Sequence, residues 1–160
     1  MDASDGIGEL PEFSVILPVD ADYDRMTWYG LGPDETYADR NHAKLDVYHC
    51  SVRDNMAKYL VPQECGNKTG VRWADITDVR GHGLHIAGES LSLSVRPWTP
   101  DEIDCAAHPN ELPPVHFTWI RVGLAQMGIG GDDTWGARTH EEYLIDNSKP
   151  LELNFSVQLI

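Results

Sequence analysis

The most regular stretch of the chain is Leu151-Glu-Leu-Asn-Phe-Ser-Val-Gln-Leu159, where apolar and polar residues alternate over nine positions. Such a period of two describes a strand half-buried in an antiparallel sheet. Leu91-Ser-Leu-Ser-Val95 alternates in the same way, one face apolar and the other serine. Phe13–Leu17 reads as a first strand, closed by Pro18 and the acidic turn Asp20-Ala21-Asp22, and Arg25–Tyr29 as a second. Residues 30–42 carry two glycines and a proline and read as a long ordered loop. Lys44–Val52 is a further strand, with Leu45 and Val47 in phase and Cys50 out of it. In Val71–Thr77 the large residues Trp73 and Ile76 fall on different phases, which predicts a bulge or burial on both faces. Asp78–Gly83 has the glycines of a hairpin turn and leads into a strand over Leu84–Gly88. Val115–Val122 follows, with Val115, Phe117 and Trp119 on one face.

Helical signals are few. Asn55–Lys58 has room for one turn. Thr99-Pro100-Asp101-Glu102 offers Thr as N-cap, Pro at the first helical position and Glu at the third. That is a capping box, and it predicts a helix running to about Ala107, ahead of Pro109. About ten short strands and one helix predict an all-β fold, an antiparallel β-sandwich. With no internal repeat and no low-complexity linker, residues 10–160 read as a single domain. Residues 1–9, polar and glycine-rich, read as a disordered lead or an appended tag.

At 160 residues the chain is long enough to bury a core. Its net charge of −14 argues against nucleic acid or an anionic membrane surface as partners, since both need a basic face. No apolar run approaches the ~20 residues of a membrane span. The start Met-Asp-Ala-Ser-Asp-Gly has no apolar signal region. The three cysteines, Cys50, Cys65 and Cys105, are odd in number and widely spaced, which suits a reducing compartment and inert buried thiols. A cytoplasmic location is the resulting expectation.

The candidate chemistry gathers at Met127-Gly-Ile-Gly-Gly-Asp-Asp-Thr-Trp-Gly136. Gly128, Gly130 and Gly131 describe a chain doubling back, and Asp132 and Asp133 can fix such a loop by accepting backbone N–H groups. A loop this polar does not need a large ring for its own stability, so Trp135 is the residue to explain. Two readings stand: a tryptophan that anchors the loop by capping the core, or a platform for a ligand. Trp28, Trp73, Trp98 and Trp119 lie in or beside strand patterns and are expected in the core. Adjacent Asp132 and Asp133 point apart and make a poor acid–nucleophile pair, since such carboxyl groups must flank one reacting bond. Glu35 and Glu64 are expected to serve structural pairing with Arg40 or a backbone amide. His82-x-x-His85, on a hairpin, places its two rings on opposite faces and makes no metal site. His108 and His116 flank a proline-rich turn, where either could act in general acid–base chemistry. Gly128-Ile-Gly-Gly131 lacks the Lys-Ser/Thr that a phosphate cradle uses.

Three stretches, in order, carry a family resemblance. Met127–Trp135 resembles a motif near the C-terminus of the large bacterial β-galactosidases of glycoside hydrolase family 2. Trp28-Tyr-Gly-Leu-Gly-Pro-Asp-Glu-Thr-Tyr-Ala-Asp-Arg40 is similar to a second segment of that family, and Tyr59-Leu-Val-Pro-Gln-Glu-Cys-Gly-Asn67 to a third. Cys65 stands where the family usually has Asn. The resemblance covers the chain from about residue 10 to the end. It implies about the C-terminal half of the family's C-terminal (small-chain) domain, a mutarotase-like supersandwich. It also implies that the catalytic glutamates lie on a separate (β/α)₈ barrel, so no catalytic residue is expected here. By resemblance Trp135 would form an apolar wall of the substrate pocket, with Gly130, Gly131, Asp132 and Asp133 as its mount. The intact enzyme would hydrolyse β-galactosides such as lactose, would use Mg²⁺ and a monovalent cation bound mainly outside this chain, and would be a homo-oligomer. The chain would then be a piece of a larger polypeptide, or a small subunit of a split enzyme. Apart from the resemblance, a free-standing carbohydrate-binding module using Trp135, or a mutarotase-like epimerase using His108 or His116 with a Glu, are the alternatives.

Overall fold

The computed structural model describes residues 9–133 and 135–160; the expected lead lies outside them but for Glu9, as does Thr134 of the glycine motif. Seven strands form: β1 (Glu12–Asp20), β2 (Arg25–Gly32), β3 (Lys44–Ser51), β4 (Asn67–Thr77), β5 (Gly83–Arg96), β6 (Phe117–Gln126) and β7 (Ser156–Leu159). Every pairing is antiparallel. The sheet order is β1-β6-β5-β4-β2-β3, with β7 paired to β5. The all-β antiparallel class of the β-sandwich is thus the observed one.

The strands are fewer than about ten in part because two expected strands merge. Leu84–Gly88 and Leu91–Val95 are both parts of β5, fourteen residues long. Its register against β4 shifts on either side of Val71, the bulge that the clash of phase between Trp73 and Ile76 predicts. The first half of β5 pairs with β7 and the second half with β6, so one long strand serves two neighbours on the same side. Opposed residues in an antiparallel ladder share a face. Met26, Trp28, Ala74, Ile76 and Ile86 therefore line up across β2, β4 and β5, and Leu93, Val95, Ile120 and Val122 continue that buried face into β6. Tyr48, Leu153 and Phe155 pack against its margin.

Several expectations need correction. In β6 Thr118, Ile120 and Val122 turn toward the core, while Phe117 and Trp119 share the other face, Phe117 exposed and Trp119 half-buried rather than in the core. Only Ser156–Leu159 of the nine-residue alternation has a strand's hydrogen bonds. The helix α1 spans Pro100–Asp104 and ends at Cys105, short of Ala107. Its capping box is present: the Glu102 amide donates to Thr99 Oγ1 at 3.2 Å and the Thr99 amide to Glu102 Oε2 at 2.8 Å. The turn expected over Asn55–Lys58 starts earlier, its first hydrogen bond running from the Asn55 amide to the Ser51 carbonyl. The hairpin at Asp78–Gly83 forms as expected, with Gly81 at φ 86° and the Asp78 carboxylate accepting the Arg80 and His82 amides. Of the cysteines only Cys65 is buried; Cys50 is half-buried and Cys105 exposed. Of the tryptophans outside the glycine loop, only Trp28 belongs to the core, while Trp73, Trp98 and Trp119 are half-buried.

Candidate functional site

The three segments that carry the resemblance are physically joined. Glu35, in the loop after β2, is buried and fully committed. Its Oε2 accepts the Gly66 amide at 2.7 Å, and its Oε1 takes the Tyr59 hydroxyl at 2.5 Å and the Arg40 guanidinium at 2.9 Å. Thr36 and Asn67 exchange hydrogen bonds next to it. The pairing with Arg40 and a backbone amide is the structural role expected of Glu35.

Glu64 is held from three sides. Tyr37 donates to Oε1 at 3.2 Å, Arg121 donates to both oxygens at 2.7 and 3.2 Å, and Arg96 donates to Oε2 at 2.9 Å. Burial alone would raise the Glu64 pKa; the two guanidiniums outweigh it and hold the carboxyl below its usual range. Burial beside Glu64 and Glu35 pushes the Tyr37 hydroxyl far up, so it stays a neutral donor. Neither glutamate is free to give a proton or attack a substrate. They fix the loops around the site. The sequence marks both residues, but Tyr59, Tyr37, Arg96 and Arg121 are partners that sequence reasoning missed, since all come from other segments.

The glycine loop follows β6. It begins with the Gly128 amide donating to the Tyr143 carbonyl at 2.9 Å, while Thr139 Oγ1 donates back to the Gly128 carbonyl at 2.8 Å. Asp133 Oδ1 accepts the amides of Trp135 (2.8 Å) and Ala137 (3.2 Å), the local brace expected of it. Asp132 does something else: it takes His140 Nε2 at 2.9 Å, and that hydrogen bond raises the His140 pKa. The two aspartates diverge. The glycines also differ from expectation, because none of Gly128, Gly130 and Gly131 has a positive φ; in this loop only Gly136 does, at 109°. What requires glycine at 128 and 131 is close approach. A Cβ on Gly128 would lie 2.8 Å from Asp39 Cγ, and one on Gly131 would overlap the Ala137 carbonyl.

Trp135 rides at the end of this loop, 90% exposed. That excludes the reading in which it caps the core. Beside the loop lies a cleft of ≈ 400 Å³ lined by Asp39, Arg40, Gly130, Asp132, His140 and Tyr143. A second cleft, ≈ 800 Å³ and polar, opens on the other side of Asp39 and Arg40 and reaches Glu35, Asn55 and Lys68. Burial lowers the Lys68 pKa; its ammonium donates to the Pro33 carbonyl at 3.0 Å and sits over the Trp28 ring. His108 does find a glutamate, Glu111 at 2.8 Å, but on an exposed turn; His116 is exposed as well, and neither lines these two clefts. His82 lies in the hairpin turn against Asp78, whereas His85 pairs with Asp75 at 2.6 Å on β5. Among the described residues no three His, Cys, Asp or Glu side chains converge as a metal site would need. No helix among them is long and apolar enough to cross a membrane.

Comparison with known proteins agrees with the motifs. Residues 1–159 match the family described as β-galactosidase small chain. A β-galactosidase of Halalkalibacterium halodurans is 41% identical over 155 residues, 95% of this chain and 15% of that protein. The β-galactosidase BgaC of Bifidobacterium adolescentis is 40% identical over 94% of this chain and 15% of its own length. A β-galactosidase of Streptococcus thermophilus is 35% identical over 98% of this chain and 16% of its own. The chain thus spans about one-seventh of the length of these relatives. By motif, fold and match over nearly its whole length, it belongs to the β-galactosidase small-chain family.

Proposed function

We propose that this chain is part of the C-terminal β-sandwich domain of a glycoside hydrolase family 2 β-galactosidase, within residues 10–160, and that it lends Trp135 to the substrate pocket. The observation that carries this reading is the exposed indole on a braced loop. The C–H face of a sugar ring is apolar while its rim is hydroxylated, so an indole beneath it buries area and holds the ring in register. Burying one aromatic face contributes on the order of 1–3 kcal/mol. The intact enzyme hydrolyses terminal β-galactosides such as lactose with retention, through an acid/base and a nucleophilic glutamate on its barrel domain. Glu35 and Glu64, each pinned by an arginine, are consistent with that division of labour. Mg²⁺ and a monovalent cation act in the intact enzyme at sites outside this chain. The enzyme is a cytoplasmic homo-oligomer.

An exposed indole would equally suit a free-standing carbohydrate-binding module, and the isolated chain separates the two. A wall that needs the barrel's polar groups binds almost nothing alone. Titration of this chain with galactose and lactose, followed by tryptophan fluorescence, should be silent up to tens of millimolar. Saturable binding that disappears in Trp135→Ala would make it a sugar-binding module instead.

A further inference from the structure

We propose that Asp39 is the positioning residue of Trp135, setting where the indole stands although it touches no substrate itself. The proposal rests on the reading of Trp135 as a substrate wall. A ring that is 90% exposed has almost no packing of its own to orient it, so its placement depends on the loop. Most of the bonds within that loop are local: Asp133 to Trp135 and Ala137, Asp132 to His140, Thr139 to Gly128. They shape the loop without fixing it to the sheet.

Beyond Met127, whose amide donates to the Pro11 carbonyl at 2.9 Å, Asp39 supplies that link. Its Oδ2 accepts the Gly130 amide at 2.7 Å across 91 positions of sequence, a short charge-assisted bond. A further side-chain link to a distant segment among the described residues, Arg138 to Glu9, is long at 3.4 Å and 84% exposed on the arginine, so it contributes little. Asp39 itself stands on a rigid base. Tyr37, fully buried, and Arg40 exchange both backbone hydrogen bonds around it, and Arg40 is held by Glu35 at 2.9 Å. The glycine at 128 is matched to this carboxylate, because any Cβ there would collide with it. Asp39 Oδ1 is buried without a hydrogen-bond partner among the described residues, so there the carboxylate's one hydrogen bond to the loop is the one that Oδ2 accepts. Wall residues act through placement, and small misplacements are costly in an active site.

Two measurements test this. Amide hydrogen exchange on this chain should show the Gly130 amide exchanging at least tenfold faster in Asp39→Ala. Asp39→Asn, which keeps an acceptor at Oδ2 and changes only the unpartnered position, should leave it slow. An unchanged rate in Asp39→Ala would overturn the tether. In the intact β-galactosidase, Asp39→Ala should raise KM by the same factor as Trp135→Ala, with kcat changed less and Tm within about 2 °C. Asp39→Asn should restore the wild-type KM, and the double variant should be no worse than Trp135→Ala alone. Additive losses, or a fall in Tm that accounts for the activity, would overturn the positioning role. A KM unaffected by Trp135→Ala would instead overturn the underlying reading of Trp135, and Gly130 exchange would still decide whether Asp39 holds the loop.

Discussion

At the scale of single residues, the most consequential group outside the loop is Glu64, which gathers Tyr37, Arg96 and Arg121 between the sheet and the loops over it. The side chains of Arg96 and Arg121 are 3% and 7% exposed, so removing their shared anion leaves Arg96 without a carboxylate in a dry setting, while Arg121 keeps Glu12 at 3.2 Å. Glu64→Gln should therefore lower stability by about 2–3 kcal/mol at neutral pH, below the roughly 3–5 kcal/mol of a fully buried broken pair because Glu12 still faces Arg121. The pH dependence has a definite sign. A carboxyl held below its unfolded pKa adds stability that is complete above that value, about 4.3, and is lost as pH falls through the folded pKa. Melting temperature measured from pH 7 down to pH 3 should fall more steeply in the parent chain than in Glu64→Gln. Parallel curves would mean that Glu64 is not the anion that holds this junction. Glu35 and Glu64 could be singled out from the sequence, but only Arg40 lies near enough in the chain to be named as a partner. The bond between Asp39 and Gly130 leaves no sequence trace at all, since loop closure over 91 positions is decided by the sheet between them.

At the scale of elements, alternation in the sequence reports which way side chains point, and it does so well. It does not report which backbone groups are paired. Leu153 and Phe155 pack against the core as their period demands, yet ladder bonds begin only at Ser156, where β5 runs alongside. In β6, residue size misleads: Phe117 and Trp119 outweigh Thr118 in any apolar tally, but Thr118 is the buried one because Val19 of β1 opposes it. Helix α1 was legible to the residue at its start and not at its end. Capping chemistry is local, whereas the stop at Cys105 lacks the glycine or proline that usually marks one. With a five-residue helix so dependent on its cap, Thr99→Ala should cost about 1 kcal/mol in chemical denaturation. A loss below a few tenths would show that packing of Ile103, which is buried, holds the helix without the box.

At the scale of the whole molecule, the sheet is open at both ends among the described residues. On β1 Val15 and Ile16 are exposed, and on β3 Leu45 and Val47. Val47, Tyr29, Trp73 and Ala87 stand opposite one another across four strands, on the face away from the core. An apolar row of that kind at an open edge invites further pairing or cover. In the proposed setting the remainder of a β-galactosidase about seven times longer provides it. The isolated chain should accordingly self-associate with concentration, and Val47→Lys should reduce this without lowering Tm by more than a few degrees. Sedimentation that stays monomeric at all concentrations in the parent chain would argue that these edges need no cover.

The central claim concerns Trp135, and steady-state kinetics of Trp135→Ala in the intact β-galactosidase test it most directly. Loss of one sugar-facing ring should raise KM for lactose roughly tenfold, since 1.4 kcal/mol corresponds to that factor. Because the indole is 90% exposed, Tm should stay within about 2 °C of the parent. An unchanged KM, or a loss of activity matched by an equal loss of melting temperature, would contradict the account.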